Sequence, residues 1–193
     1  MKKGLTVKDL VTIGVFAAVY IVAMFLLGLM GMVPLLFLVW PLVNGAISGV
    51  IVMLFMAKVP KPWALFFFGI IPPLSMTLMG HSMVVFLHGV VVMALAQWIQ
   101  SKGTYSSFAC NTAANAVFST WACGSLLQIF LWHDQYIALS SSMMGVEYTK
   151  TLEALITWPH MILVYLGALV GGVLGGFLGR AMLKKHFEKA GIV

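Results

Sequence analysis

The side chains best equipped for chemistry are two histidines, His81 and His88, in the run GHSMVVFLHG. Imidazole can ligate a metal, shuttle a proton or hydrogen-bond a ligand. A separation of seven residues is close to two helical turns. On one helix the pair would share a face, about 10 Å apart along the axis. An ionisable side chain in apolar surroundings points to function by default. The plainer alternative is a neutral ring bonded to a backbone carbonyl. A third histidine, His160, stands beside Trp158 in TWPHM, and Trp40, Asn44, Asn111, Asn115 and Gln128 are the other polar or amphipathic groups within apolar runs. Met79 adjoins the first histidine, and methionine is frequent throughout, with 14 in the chain. Met30, Met32, Met76, Met83, Met143 and Met144 cluster with it near expected chain reversals. Flexible thioethers suit an adaptable apolar binding surface as well as plain filling of a core.

Those groups must be positioned by a membrane-embedded scaffold. The chain has 193 residues, of which 62% are hydrophobic and only 8% charged. A water-soluble domain carries about 25% charged residues. So few charges cannot cover a water-facing surface, and the composition predicts an integral membrane protein. A single transmembrane domain over residues 1–193 is expected, all-α, as a six-helix bundle.

The apolar runs predict spans over about 7–29, 34–57, 63–79, 81–99, 108–132 and 155–183. Pro72-Pro73 should kink or break the third, and 133–151 reads as a polar connection. The third and fourth spans are separated only by MGHS, so a five-span reading with 63–99 partly re-entrant stays open. The apolar run from Leu10 to Val33 follows Lys2, Lys3 and Lys8 and is too long for a cleaved signal sequence.

Placing the N-terminus inside puts Lys2, Lys3, Lys8, Lys58, Lys61, Lys102, Arg180, Lys184, Lys185 and Lys189 on the cytoplasmic side, and leaves Lys150 alone outside. Such a Lys/Arg bias sets orientation. Both termini are therefore expected in the cytoplasm. The net charge of +6 follows from this rule and does not call for nucleic acid. Trp40, His81, Gln128, Trp132, His133, Trp158 and His160 then fall in the outer half, which predicts a pocket that opens outward. Interfacial tryptophan is the competing explanation for its indoles.

In GALVGGVLGGFLGR, Gly167, Gly171, Gly175 and Gly179 recur every four residues, with Gly172 and Gly176 beside them. That spacing makes a ridge on which a second helix can close in, either inside the bundle or on another subunit. Gly14, Ala17 and Ala18 offer a smaller flat face in the first span. Cys110 and Cys123 are too far apart for a disulfide within one helix and read as packing residues. Neither Cys-x-x-Cys nor zinc spacing occurs, so no resident metal or cofactor is expected. The chain has no phosphate-binding loop of the Walker type and no carboxylate at membrane depth. ATP hydrolysis and ion-coupled transport thus lack their usual equipment. No catalytic constellation is apparent, and the protein is not expected to be an enzyme.

The stretches LTVKDLVTIGVFAAVYIVAMFLLG and GGVLGGFLGRAMLKKHFEKAGIV, with MGHS, carry a family likeness. The chain resembles the Trep_Strep integral membrane proteins, which are similar to the substrate-binding S components of energy-coupling factor (ECF) importers. The resemblance implies a multi-pass protein of a prokaryotic plasma membrane that captures a vitamin or other micronutrient from outside. It further implies docking on a membrane coupling subunit driven by two cytoplasmic ATPases. Docking in those families uses alanine-x-x-x-alanine on the first helix. Gly14 to Ala18 is the nearest match here, with glycine for the first alanine.

The pocket residues expected are Trp40, Asn44, Met79, His81, His88, Gln128, Trp158 and His160. With no charged group among them at depth, a flat, largely apolar ligand suits them. Haem is one possibility, with His81 and His88, His160 or a methionine on the iron; vitamin-like rings stacked on Trp40 or Trp158 are another. A stand-alone transporter or channel, and a membrane enzyme using His81 and His88, are the alternatives from other classes.

Overall fold

The structure is a computed structural model that describes residues 4–184. Lys2, Lys3, Lys185 and Lys189, and with them the end of the second family stretch, lie outside the described residues. Every regular element among the described residues is helical.

Helix α1 (Val7–Gly28) starts at a reciprocal cap, in which Thr6 Oγ1 accepts the Asp9 N–H and Asp9 Oδ2 accepts the Thr6 N–H. This satisfies two of the donors that every helix start leaves open. Helix α2 (Pro34–Lys58) begins with proline, whose missing N–H costs nothing there. Helix α3 (Ala64–Leu78) runs through Pro72 and Pro73 without the expected break. The hydroxyls of Ser75 and Thr77 donate to the Pro72 and Pro73 carbonyls, and Pro73 packs on Gly89 of the next helix, where a Cβ would sit 2.6 Å from the proline ring.

Helix α4 (Met83–Lys102) is followed by α5 (Phe108–Ser119), a 3₁₀ turn (Thr120–Cys123) and α6 (Gly124–Leu131), which together make one broken span. The stretch expected as a polar connection is instead two short helices, α7 (His133–Met144) and α8 (Val146–Leu155), joined at Gly145. Gly145 has φ +91°, a conformation that residues with a side chain rarely adopt. Helix α9 (Trp158–Met182) closes the bundle. Five helical segments, Val7–Met32, Pro34–Lys58, Met83–Lys102, Phe108–Leu131 and Trp158–Met182, are long and apolar enough to cross a membrane. The 15-residue α3 is the shorter sixth, and the architecture is an all-α membrane bundle.

Side-chain contacts bring the basic ends together. Lys61 Nζ lies 2.6 Å from Asp9 Oδ2, so the α2–α3 turn meets the start of α1. The Arg180 guanidinium sits 4.3 Å from the Phe108 ring centre, so the end of α9 meets the start of α5. The cytoplasmic side inferred from charge is thus one end of the fold.

The two glycine ridges of α9 serve internal packing. A Cβ on Gly171 or Gly175 would fall on the carbonyl oxygens of Leu42 or Gly45 in α2, and one on Gly172 would come within 2.5 Å of Ala116 Cα in α5. Backbones approach this closely only where side chains are absent. Across the bundle, Phe68 stacks between Phe55 and Phe118 at 4.4 and 5.7 Å. Beside them the buried Tyr20 hydroxyl accepts Asn44 Nδ2–H at 3.0 Å and Trp121 Nε1–H at 2.9 Å. Three helices are pinned at one oxygen.

Candidate functional site

At the end of the bundle opposite the basic face lies a cavity of about 420 Å³. Its floor is Met24 and Trp40, both buried. One wall is the last turn of α3 and the link to α4, with Met76, Met79 and His81. The other wall is α7 and the start of α8, with Tyr136, Met143 and Tyr148. The lining holds no charged side chain apart from what His81 could carry.

Local structure explains each position. Gly80, at φ +106°, reverses the chain after α3. The Met76 carbonyl then accepts the backbone N–H groups of both Met79 and His81 at 3.1 Å. His81 is therefore in the connection, ahead of the Ser82 cap of α4. The expectation that His81 and His88 share one helical face fails for this reason: the helix begins two residues after His81. Burial holds the His81 pKa below its ordinary value, opposed by the Met76 carbonyl. Gln128, at the α6 end, accepts from both the backbone N–H and the hydroxyl of Ser82, at 3.1 and 3.0 Å. It lines the cavity while fixing where α4 starts.

Trp40 packs edge-on to Trp121 at 6.2 Å. Its indole N–H is buried without a hydrogen-bond partner among the described residues. A buried donor left unpaired costs about 1–3 kcal/mol.

Helices α7 and α8 form a hairpin along the cavity wall, with Ser140, Thr149 and Leu152 turned inward. Ser140 and Thr149 hydroxyls pair at 2.9 Å across it, and Leu152 packs into a second core with Leu126, Met161 and Val164. The Tyr148 hydroxyl donates to the Gly31 carbonyl in the 3₁₀ turn (Leu29–Met32) after α1. At the hairpin base, His133 lies 3.2 Å from Asp134 and 2.9 Å from Glu153, and these two carboxylates raise its pKa.

The structure brings Trp40, Met79, His81 and Gln128 together at this cavity. It puts the other four expected pocket residues elsewhere. Asn44 is one turn deeper on α2, bonded to Tyr20 and accepting from Ser48. His88 Nε2 meets the Tyr165 hydroxyl at 2.8 Å between α4 and α9. Trp158 is largely exposed and stacks on Phe130 at 4.4 Å. His160 bonds the Leu155 carbonyl and the Thr157 hydroxyl, and so fastens the corner from α8 to α9.

A family described as hypothetical bacterial integral membrane protein (Trep_Strep) matches residues 7–189. The chain belongs to the Trep_Strep family. No curated protein and no solved structure matches it. For this Trep_Strep protein the location follows: a bacterial membrane, crossed several times.

Several lining residues escape a reading of the Trep_Strep sequence alone. Tyr136, Tyr148 and Ser140 fall in the stretch expected as a polar connection, and Met24 looks like one more apolar residue of the first span. An available signal was the amphipathic spacing of Tyr148, Thr149, Leu152 and Leu155, at helical intervals and all facing inward in α8.

Proposed function

We propose that this protein is a substrate-capture subunit of an ECF-type importer, taking a small, flat, largely apolar micronutrient from the outer side. The observation that carries the reading is the outward cavity itself. Its volume is in the range of small-molecule sites, about 300–1,000 Å³. Its wall is apolar, with a few polar residues at fixed points: His81, Tyr136 and Tyr148. A ligand held there would be uncharged where it meets the wall.

The energy source is argued from the sequence. With no Walker loop and no carboxylate at membrane depth, the chain would borrow its work from an associated coupling subunit and two ATPases. Gly14 and Ala18 are exposed on α1, and a Cβ added at Gly14 would touch nothing within 4 Å. Such a flat strip suits helix-to-helix docking. Ala17, the third residue of the expected face, is buried and turned to the core.

The test is affinity purification from the native membrane. The expected result is co-purification of a second membrane protein and two Walker-containing ATPases. Ala18→Trp should abolish that association and leave the chain folded. Undiminished association of Ala18→Trp, or solute accumulation by the isolated chain in liposomes, would overturn the reading.

A further inference from the structure

Six of the nineteen residues that line the cavity are methionine, against 14 in a chain of 193. Random placement would put about one or two there, so hydrophobic filling alone does not account for the choice of side chain. Two of the six, Met76 and Met79, are joined by His81 within six consecutive residues, M-T-L-M-G-H. The turn that gathers them is closed by its own backbone: the Met76 carbonyl accepts from Met79 and His81, and Gly80 supplies the left-handed reversal. Two thioethers and an imidazole therefore line one cavity from a single fixed loop.

We infer that the cavity recognises its ligand through a metal centre carried in an organic frame, with His81 as the side chain that meets the metal and the Met76 and Met79 thioethers on the same wall packed against the frame. This rests on reading the cavity as a capture site and names the substrate class for it. The donor set decides the kind of metal. Neutral imidazole and thioether select softer transition metals, whereas magnesium and calcium require oxygen donors. No group of three or more His, Cys, Asp or Glu occurs among the described residues. A bare hard cation or a structural zinc ion is thereby disfavoured.

The cavity volume decides the frame. A space of about 420 Å³ is more than tenfold the share of one water, about 30 Å³. An ion alone would leave it unfilled. A planar metal chelate fills it with apolar ring, carries its own neutralising ligands in the plane, and leaves an axial position open. Imidazole and thioether are donors that such an axial position accepts. None of the other described histidines lines the cavity: His88 meets Tyr165, His133 lies between Asp134 and Glu153, and His160 holds the α8–α9 corner.

The test compares two probes of one frame: iron protoporphyrin IX and metal-free protoporphyrin IX, titrated into the full chain in mild detergent. The expected result is saturable binding of the iron form with a shifted Soret band, at least about tenfold tighter than the metal-free form, equivalent to about 1.4 kcal/mol. His81→Ala should remove the shift and bring the two affinities together. Met79→Leu, which keeps the volume and deletes a thioether of the wall, should leave the preference for the iron form in place. Equal affinities in the wild-type chain, an unchanged spectrum in His81→Ala, or binding of neither probe would overturn the inference. Co-purification with the ATPases is read separately, so the capture-subunit proposal survives or falls on its own.

Discussion

At the residue scale, one oxygen orders the centre of the bundle. The Tyr20 hydroxyl is a shared acceptor for Asn44 on α2 and Trp121 in the 3₁₀ turn. Tyr20→Phe keeps the ring and its edge contacts to Phe68 and Phe118 at 5.8 and 5.7 Å. It leaves two buried donors unpaired. The expected loss is about 1–3 kcal/mol of unfolding free energy, measured by titrating detergent-solubilised protein with SDS. Asn44 was readable in the sequence as a polar group at membrane depth. Its partner was not, because a single tyrosine in an apolar run gives no sign of which neighbours will reach its hydroxyl. The same limit applies to His81. Its type marked it for function, but its placement depends on Gly80 turning the chain, which detaches it from the helix that carries His88.

Between helices, periodicity was the most legible signal. Four-residue glycine spacing in the last span foretold a ridge, and the ridge is found against α2 and α5 rather than on the outside. The prediction at this scale contrasts two glycines. Gly171→Ala puts a Cβ on the Leu42 carbonyl, a backbone atom that cannot rotate away, so α2 and α9 must part. Overpacking of this kind costs about 1–3 kcal/mol, visible as a lowered Tm in detergent. Gly14→Ala meets open space and replaces a poor helix former with the best one, so its Tm should hold or rise. What periodicity could not supply was the hairpin of α7 and α8. Its residues are too polar to register as a span, and only the inward Leu152 and Thr149 betray a buried face. The proline pair does not break α3, which is one helix from Ala64 to Leu78. Pro73 is seated on Gly89 of α4, a packing contact that a hydropathy profile does not show.

Over the whole molecule, apolar length settles the class and the Lys/Arg bias predicts the direction of insertion, while the cavity emerges only from assembly. It draws on α1, α2, α3, α6, α7 and α8, which are far apart in sequence. Exposed apolar side chains such as Val15 and Val22 on α1 and Ile162, Leu166 and Val170 on α9 form the lipid-facing belt around it. The account makes the outer cavity the reason for the rest of the architecture, and native mass spectrometry tests that most directly. The full chain, extracted from its own membrane in mild detergent, should carry one small non-lipid molecule in a single stoichiometric adduct. Trp40→Ala, which removes the cavity floor, should lose it while the protein stays folded. A chain that carries only lipid, or an adduct untouched by Trp40→Ala, would contradict the account.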